Sequence, residues 1–275
     1  MPPRSFWGAK MKFKAACIFV DGENLRHSLC DLFCTDFDPT DYLPKKASWS
    51  AFFDDLVSKV DAEFRLRTYW YVVDEIDFWP YNLPKLRRDP KQLEAILRKD
   101  RYWAGKFDAE SDLAKRALLV QATAAELQQR ERSMKSRFDG WQQVQNGIAH
   151  HVDSVEFRRA GSIRYDLFKR RLGDEKGVDV KLATDLLSLN GIYDVGIVVS
   201  GDGDYVPAVQ TVKDWGKHIV NVSFLKKSGG VLPGGARRLN QITDRVIEVE
   251  FGDMQKFMNV LPVVKAAAAA IPVAP

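Results

Sequence analysis

The sequence has no apolar run near the ~20 residues that a membrane-spanning helix requires, so neither such a span nor a membrane partner is expected. Its basic start, "MPPRSFWGAKMKFK", lacks the continuous apolar core of a secretory signal, which favours a cytoplasmic protein. Cysteine is scarce: Cys17, Cys30 and Cys34 are too few, and odd in number, for a disulfide framework. His27, Cys30 and Cys34 can share one helical face, but a structural zinc site wants four ligands and no second pair stands nearby. The cysteines read better as small buried hydrophobes.

A strong charge of one sign is missing too, since the net charge is only +4. It is unevenly placed. Residues 85–137 carry 14 Lys/Arg against 8 Asp/Glu, whereas the rest of the chain carries 27 against 29. The basic excess therefore sits in one middle segment, which favours a polyanionic partner across it; a solvated helix surface accounts equally well for any single charge there.

What is present is enough chain for a real core: 275 residues, one large domain or two small ones. Six stretches read as strands: "AACIFVD" (15–21), "RLRTYWYVVD" (65–74), "DSVEFRRAG" (153–161), "YDVGIVVSGD" (193–202), "KHIVNVSF" (217–224) and "DRVIEVEF" (244–251). Helical spacing recurs between them at 48–64, 178–190 and 204–216. Strands alternating with helices imply an α/β fold, a mostly parallel sheet covered on both faces. Residues 85–147 break that alternation and read as a helical insertion between the second and third strands, a candidate surface for a protein partner or a homo-oligomer. The expected organisation is a basic N-terminal tail over 1–13, one domain over 14–252 with that insertion, and a C-terminal tail over 253–275 whose Ala/Pro-rich end is expected to be disordered.

In open parallel sheets, ligands gather at the carboxyl ends of strands. Asp21 ends the first strand, Asp202 and Asp204 follow the fourth, and Asp74 closes the second, one strand farther out. A helical wheel over 178–190 puts Asp179 on the inward stripe with Leu182 and Leu186, and turns Lys181, Thr184, Asp185 and Ser188 away. A first-turn or capping aspartate accounts for Asp179 about as well. Two carboxylates ~4 Å apart repel by roughly 4 kcal/mol at an effective dielectric near 20. Several in one cleft call for protonation or a cation, and Mg²⁺ or Mn²⁺ suits carboxylate and water oxygens.

The ordered set "FVDGENL" (19–25), "KGVDVKLATDLL" (176–187) and "SGDGDYVPAVQTVKDWGKHIVNVSF" (200–224) resembles the NYN domain, a family of the PIN-like nuclease superfamily that includes LabA-like bacterial proteins. The resemblance runs over roughly residues 14 to 250 apart from the insertion. It implies a Rossmann-like α/β/α sandwich and metal-dependent endoribonuclease activity. By the same resemblance Asp21, Asp179, Asp202 and Asp204 hold the metal and serve catalysis, with Asn24 and Ser200 orienting water or a phosphate oxygen. Turn stabilisation explains Asn24 and Ser200 as well. Two departures stand out. Tyr205 replaces a more usual phenylalanine and reads as a packing difference, while Asp185 matches a second family acid but reads as structural.

RNA is the expected partner. Arg158, Arg159, Arg164, Arg170, Arg171 and Lys176, with Tyr165 and Phe168 among them, suit a single-stranded backbone with stacked bases; a solvated loop is the plainer account. Two rival readings are a non-catalytic RNA-binding or regulatory module and a haloacid-dehalogenase-like phosphatase. The phosphatase signature needs a second Asp two residues after the first, where this chain has Glu23.

Overall fold

The computed structural model describes residues 13–33, 43–44, 47–80, 89–226, 228–232 and 236–259; Cys34, Lys227, the N-terminal tail up to residue 12 and the Ala/Pro-rich end lie outside them. Seven strands are ordered β4-β3-β2-β1-β5-β6-β7. They are β1 (Phe13–Asp21), β2 (Ala62–Trp79), β3 (Val155–Asp166), β4 (Arg171–Lys176), β5 (Val195–Val199), β6 (His218–Phe224) and β7 (Arg245–Val249). The described residues divide into two compact units, one of those up to Tyr71 with Asn146–Arg158 and those from Asp179 onward, the other of those in Val72–Gln145 with Arg159–Val178. Among the described residues no helix is long and apolar enough to cross a membrane.

In the first unit β1 pairs in parallel with β2 on one side and β5 on the other, and β6 and β7 continue the parallel run. The central strands show why. Every residue of β5, and β1 from Ala15 onward, is buried, as expected where helices cover both faces of a sheet. Helices α1 (Gly22–Leu32) and α2 (Trp49–Lys59) connect β1 to β2, and α7 (Val206–Asp214) connects β5 to β6 in the opposite direction across the sheet. Right-handed crossovers then put α1 and α2 on one face and α7 on the other. On the first of those faces Trp49 stacks against Phe53 and meets Trp70 edge-on, with ring centroids 6.1 and 4.8 Å away. Cys17 lies inside β1, where burial pushes its thiol up to about 11, and Cys30 is half-buried on α1, as expected of packing residues.

The second unit has a core of its own. Helices α3 (Pro90–Leu97), α4 (Arg101–Ala109) and α5 (Leu113–His151) supply Leu93, Leu97, Phe107, Val120, Ala124 and Leu127, and Leu167 from the β3–β4 turn joins them. Along α5 the buried positions Val120, Ala124, Leu127, Met134, Phe138, Trp141 and Gln145 are spaced by three, four or seven residues, a mostly apolar seam along one side. The helical reading of 85–147 thus holds for its described residues. Two sequence expectations change. Residues 171–176, expected in a basic loop, form β4, antiparallel to β3. Gly161 allows that hairpin: at its φ of +64° an added Cβ would lie 1.8 Å from the Lys176 carbonyl oxygen. Asp74 does not close β2, which runs on to Trp79, so its side chain is an exposed mid-strand carboxylate.

Candidate active site

Asp21 is the last residue of β1, and Ser200 follows directly on β5, its parallel neighbour. The chain leaves β1 toward β2 on one side and β5 toward β6 on the other, so these two carboxyl ends form the switch point where open α/β sheets hold ligands.

Asp21 is 5% exposed and serves as the N-cap of α1, its Oδ1 accepting the Asn24 amide at 3.0 Å. Its Oδ2 accepts the Ser200 hydroxyl at 3.0 Å and the Tyr205 hydroxyl at 3.1 Å. Burial pushes this carboxyl above the ordinary range; the three hydrogen bonds pull the other way, and the nearby Asp202 charge adds to the rise. Among the described residues every partner of Asp21 is therefore neutral or acidic, and none is a cation.

The loop after β5 is tied to the same spot. Gly201 donates its amide to the Asn24 side-chain carbonyl at 2.9 Å, and Asp202 donates its amide to the Ser200 hydroxyl at 3.0 Å. Asp202 then caps the 3₁₀ turn Gly203–Tyr205, its Oδ1 accepting the Asp204 amide at 2.9 Å. Gly203 separates the two acids, and the stem of Arg238, from α8 (Ala236–Ile242), lies beside it, with Cδ 3.6 Å from where a Cβ would stand.

Of the six residues expected in catalysis, Asp21, Asn24, Ser200 and Asp202 are thus connected through one network. Asp204 is exposed and enters it through its amide. Asp179 is half-buried in the first turn of α6 (Val178–Ser188), and its side chain makes no hydrogen bond or ion pair with another described residue. Among the described residues no three of His, Cys, Asp and Glu are grouped to hold a metal. Magnesium does not need such a cage, because it keeps several waters and is commonly held by one or two carboxylates. Asp21 and Asp202, hard oxygen donors at the switch point, fit an ion of that kind.

Two residues were missed or misjudged from sequence. Tyr205 is no mere packing substitution, since its hydroxyl is a donor to the central acid; its departure from phenylalanine was the available signal. Asp185, turned outward by the helical wheel, is 4% exposed. Arg158 and Lys181 explain this, for both bind its carboxylate, Lys181 at 2.8 Å. Burial alone would raise the Asp185 carboxyl, but these two hydrogen-bonded cations hold it below the ordinary range.

That pairing also bears on the basic residues expected to bind substrate. Arg158 is committed to Asp185 and Glu156 and lies over the Tyr69 ring, 4.0 Å from its centroid. The other five belong to the second unit. Arg159 donates to Gln145 and Arg170 to Glu126. Arg164, Arg171 and Lys176 are exposed along the β3–β4 hairpin.

A family model for the NYN domain matches residues 15–250. No curated protein matches the chain. Among solved structures, a protein of unknown function from Vibrio parahaemolyticus aligns at 16% identity with a TM-score of 0.41, over 88% of this chain and 96% of that one.

Proposed function

The chain belongs to the NYN domain family, a nuclease-type family, and from that premise we propose that it is a metal-dependent endoribonuclease acting through the β1/β5 switch point. The observation that carries this reading is Asp21: a buried carboxylate with no cation among its described partners, next to a second acid, at the place where such sheets bind ligands. Left so, it is a cost to the fold, and a divalent ion removes that cost.

In this reading Asp21 and Asp202 hold Mg²⁺ or Mn²⁺ through oxygen, and Asp179 and Asp204 are further carboxylates for the ion or its waters. The bound ion supplies Lewis acidity toward the phosphodiester and a water of lowered pKa. Ser200 and Tyr205 take both lone pairs of Asp21 Oδ2, so the lone pair left for an ion belongs to Oδ1, which among the described residues accepts the Asn24 amide alone. Asn24 holds the Gly201 amide and with it the loop carrying Asp202. Arg238, whose stem lies beside Gly203, is assigned in this reading to a phosphate oxygen of the RNA backbone.

The test is RNA cleavage in Mg²⁺ or Mn²⁺ by the native chain and by Asp202→Asn. A loss beyond about a hundredfold is expected, larger than outer-partner substitutions give at metal sites. Equal activity in both removes the site. One observation favours a second reading, a non-catalytic RNA-binding module: no three acids are grouped among the described residues. Isothermal titration separates the two, since the inert module shows no Mn²⁺ binding that depends on Asp21.

A further inference from the structure

The second unit holds a cavity of about 420 Å³ that the reading above leaves unused. One wall is α5, which presents Glu126, Arg130, Ser133 and Arg137 at three- and four-residue spacing on one side; the other is the β3–β4 turn, with Tyr165 and Arg170. Three guanidinium groups face one carboxylate, a surplus of positive charge inside a concave site.

The cavity is also built. Arg130 donates to the Leu167 carbonyl at 2.8 Å and pairs with Glu126, fixing the turn to the helix, while its Nε is buried with no partner. Asp166 accepts the Phe168 and Lys169 amides at 2.9 Å each, which shapes that turn. Arg170 stands at its end with a φ of +53°, a conformation disfavoured for a residue with a side chain, and reaches Glu126 at 3.2 Å. Arg137 lies over the Trp141 ring, 5.6 Å from its centroid.

We infer that this cavity is a binding subsite for single-stranded nucleic acid. Arg130, Arg137 and Arg170 take a backbone phosphate, and the adjoining Tyr165 offers a ring face to a base. Guanidinium forks match phosphate oxygens, and aromatic faces accept any base, so the site recognises a strand without reading its sequence. The inference rests on RNA as the substrate proposed above, and it gives the helical insertion a task.

The experiment measures fluorescence anisotropy of a labelled single-stranded RNA bound to the full chain in EDTA, where metal-dependent cleavage is off. The double variant Arg137→Gln/Arg170→Gln is expected to weaken binding about tenfold and to flatten the salt dependence by about 1.4 in log–log slope, the share of two single-strand phosphate contacts. Ser133→Glu, which sets a carboxylate in the cavity without removing any contact, is expected to weaken it similarly. Native-like affinity in the double variant and in Ser133→Glu overturns the subsite, as does a native chain that binds no RNA, or RNA displaced equally well by polyglutamate. RNA bound through this cavity but left uncut when Mn²⁺ is added keeps the subsite and removes the nuclease reading.

Discussion

Two buried aspartates in the first unit, Asp21 and Asp185, are 5% and 4% exposed, and they answer the same physical problem in opposite ways. Asp185 has two cations, Arg158 and Lys181, and its carboxyl is held below the ordinary range. Asp21 has two hydroxyls, one amide and an acidic neighbour, and its carboxyl is pushed above that range. A buried charge that the fold itself neutralises is structural. One left with neutral donors only is, in the function proposed above, the place for a metal ion. Burial and residue type are the same at both positions; the sign of the company decides the role.

The sharpest way to break this contrast is to remove each charge. Asp185→Asn leaves Arg158 inside with only Glu156 to answer it, and is expected to cost about 3 kcal/mol by chemical denaturation, with cleavage per folded molecule little changed. A small stability loss would place Asp185 in the same class as Asp21.

A second comparison uses the opposite shifts. Asp185 ionises more readily folded than unfolded, so the stability it contributes is present above the ordinary aspartate value, near about 4, and is lost as pH falls through its lowered one. For Asp21 the sign reverses: its contribution is full below about 4 and is lost as pH rises through its raised value. Without metal, Asp21→Asn is therefore expected to be no less stable than the native chain at neutral pH. Mn²⁺ at a hundred times its Kd should raise the native unfolding free energy by about 2.7 kcal/mol, and leave that of Asp21→Asn unmoved. Equal stabilisation of both proteins counts against Asp21 as a ligand.

The smallest effect is expected at Tyr205. Tyr205→Phe removes one of three donors from Asp21 and should lower stability by about 1 kcal/mol, the net contribution of one hydrogen bond. Its cleavage rate should fall about tenfold with KM held, as for an outer partner that orients a ligand. Loss of KM alone would make Tyr205 a substrate contact.

Much of this was legible in the chain. Apolar runs ending in acids located β1 and β5 and, through them, Asp21 and the Ser200–Asp204 loop. The three- and four-residue steps in 113–151 belong to a long helix, and the sequence showed the helix without showing which side was its seam. β4 was hidden because "RLGDEK" has no apolar alternation; pairing with β3, made possible by Gly161, creates it. Asp185 was misplaced because a helical wheel knows only its own helix, whereas Arg158 comes from β3.

The sequence by itself determined the local matters: which segments are helix or strand, the order of the acidic motifs, and membership in a nuclease-type family. Tertiary structure alone decided which acids keep company with cations, that Tyr205 turns its hydroxyl to Asp21, and that arginines from α5 and the β3–β4 turn share one cavity. The reason is range. Backbone preference and hydrophobic period act over a few residues, but the energy of a buried charge depends on neighbours set beside it by residues far along the chain, here 27 between Arg158 and Asp185 and 179 between Asp21 and Ser200.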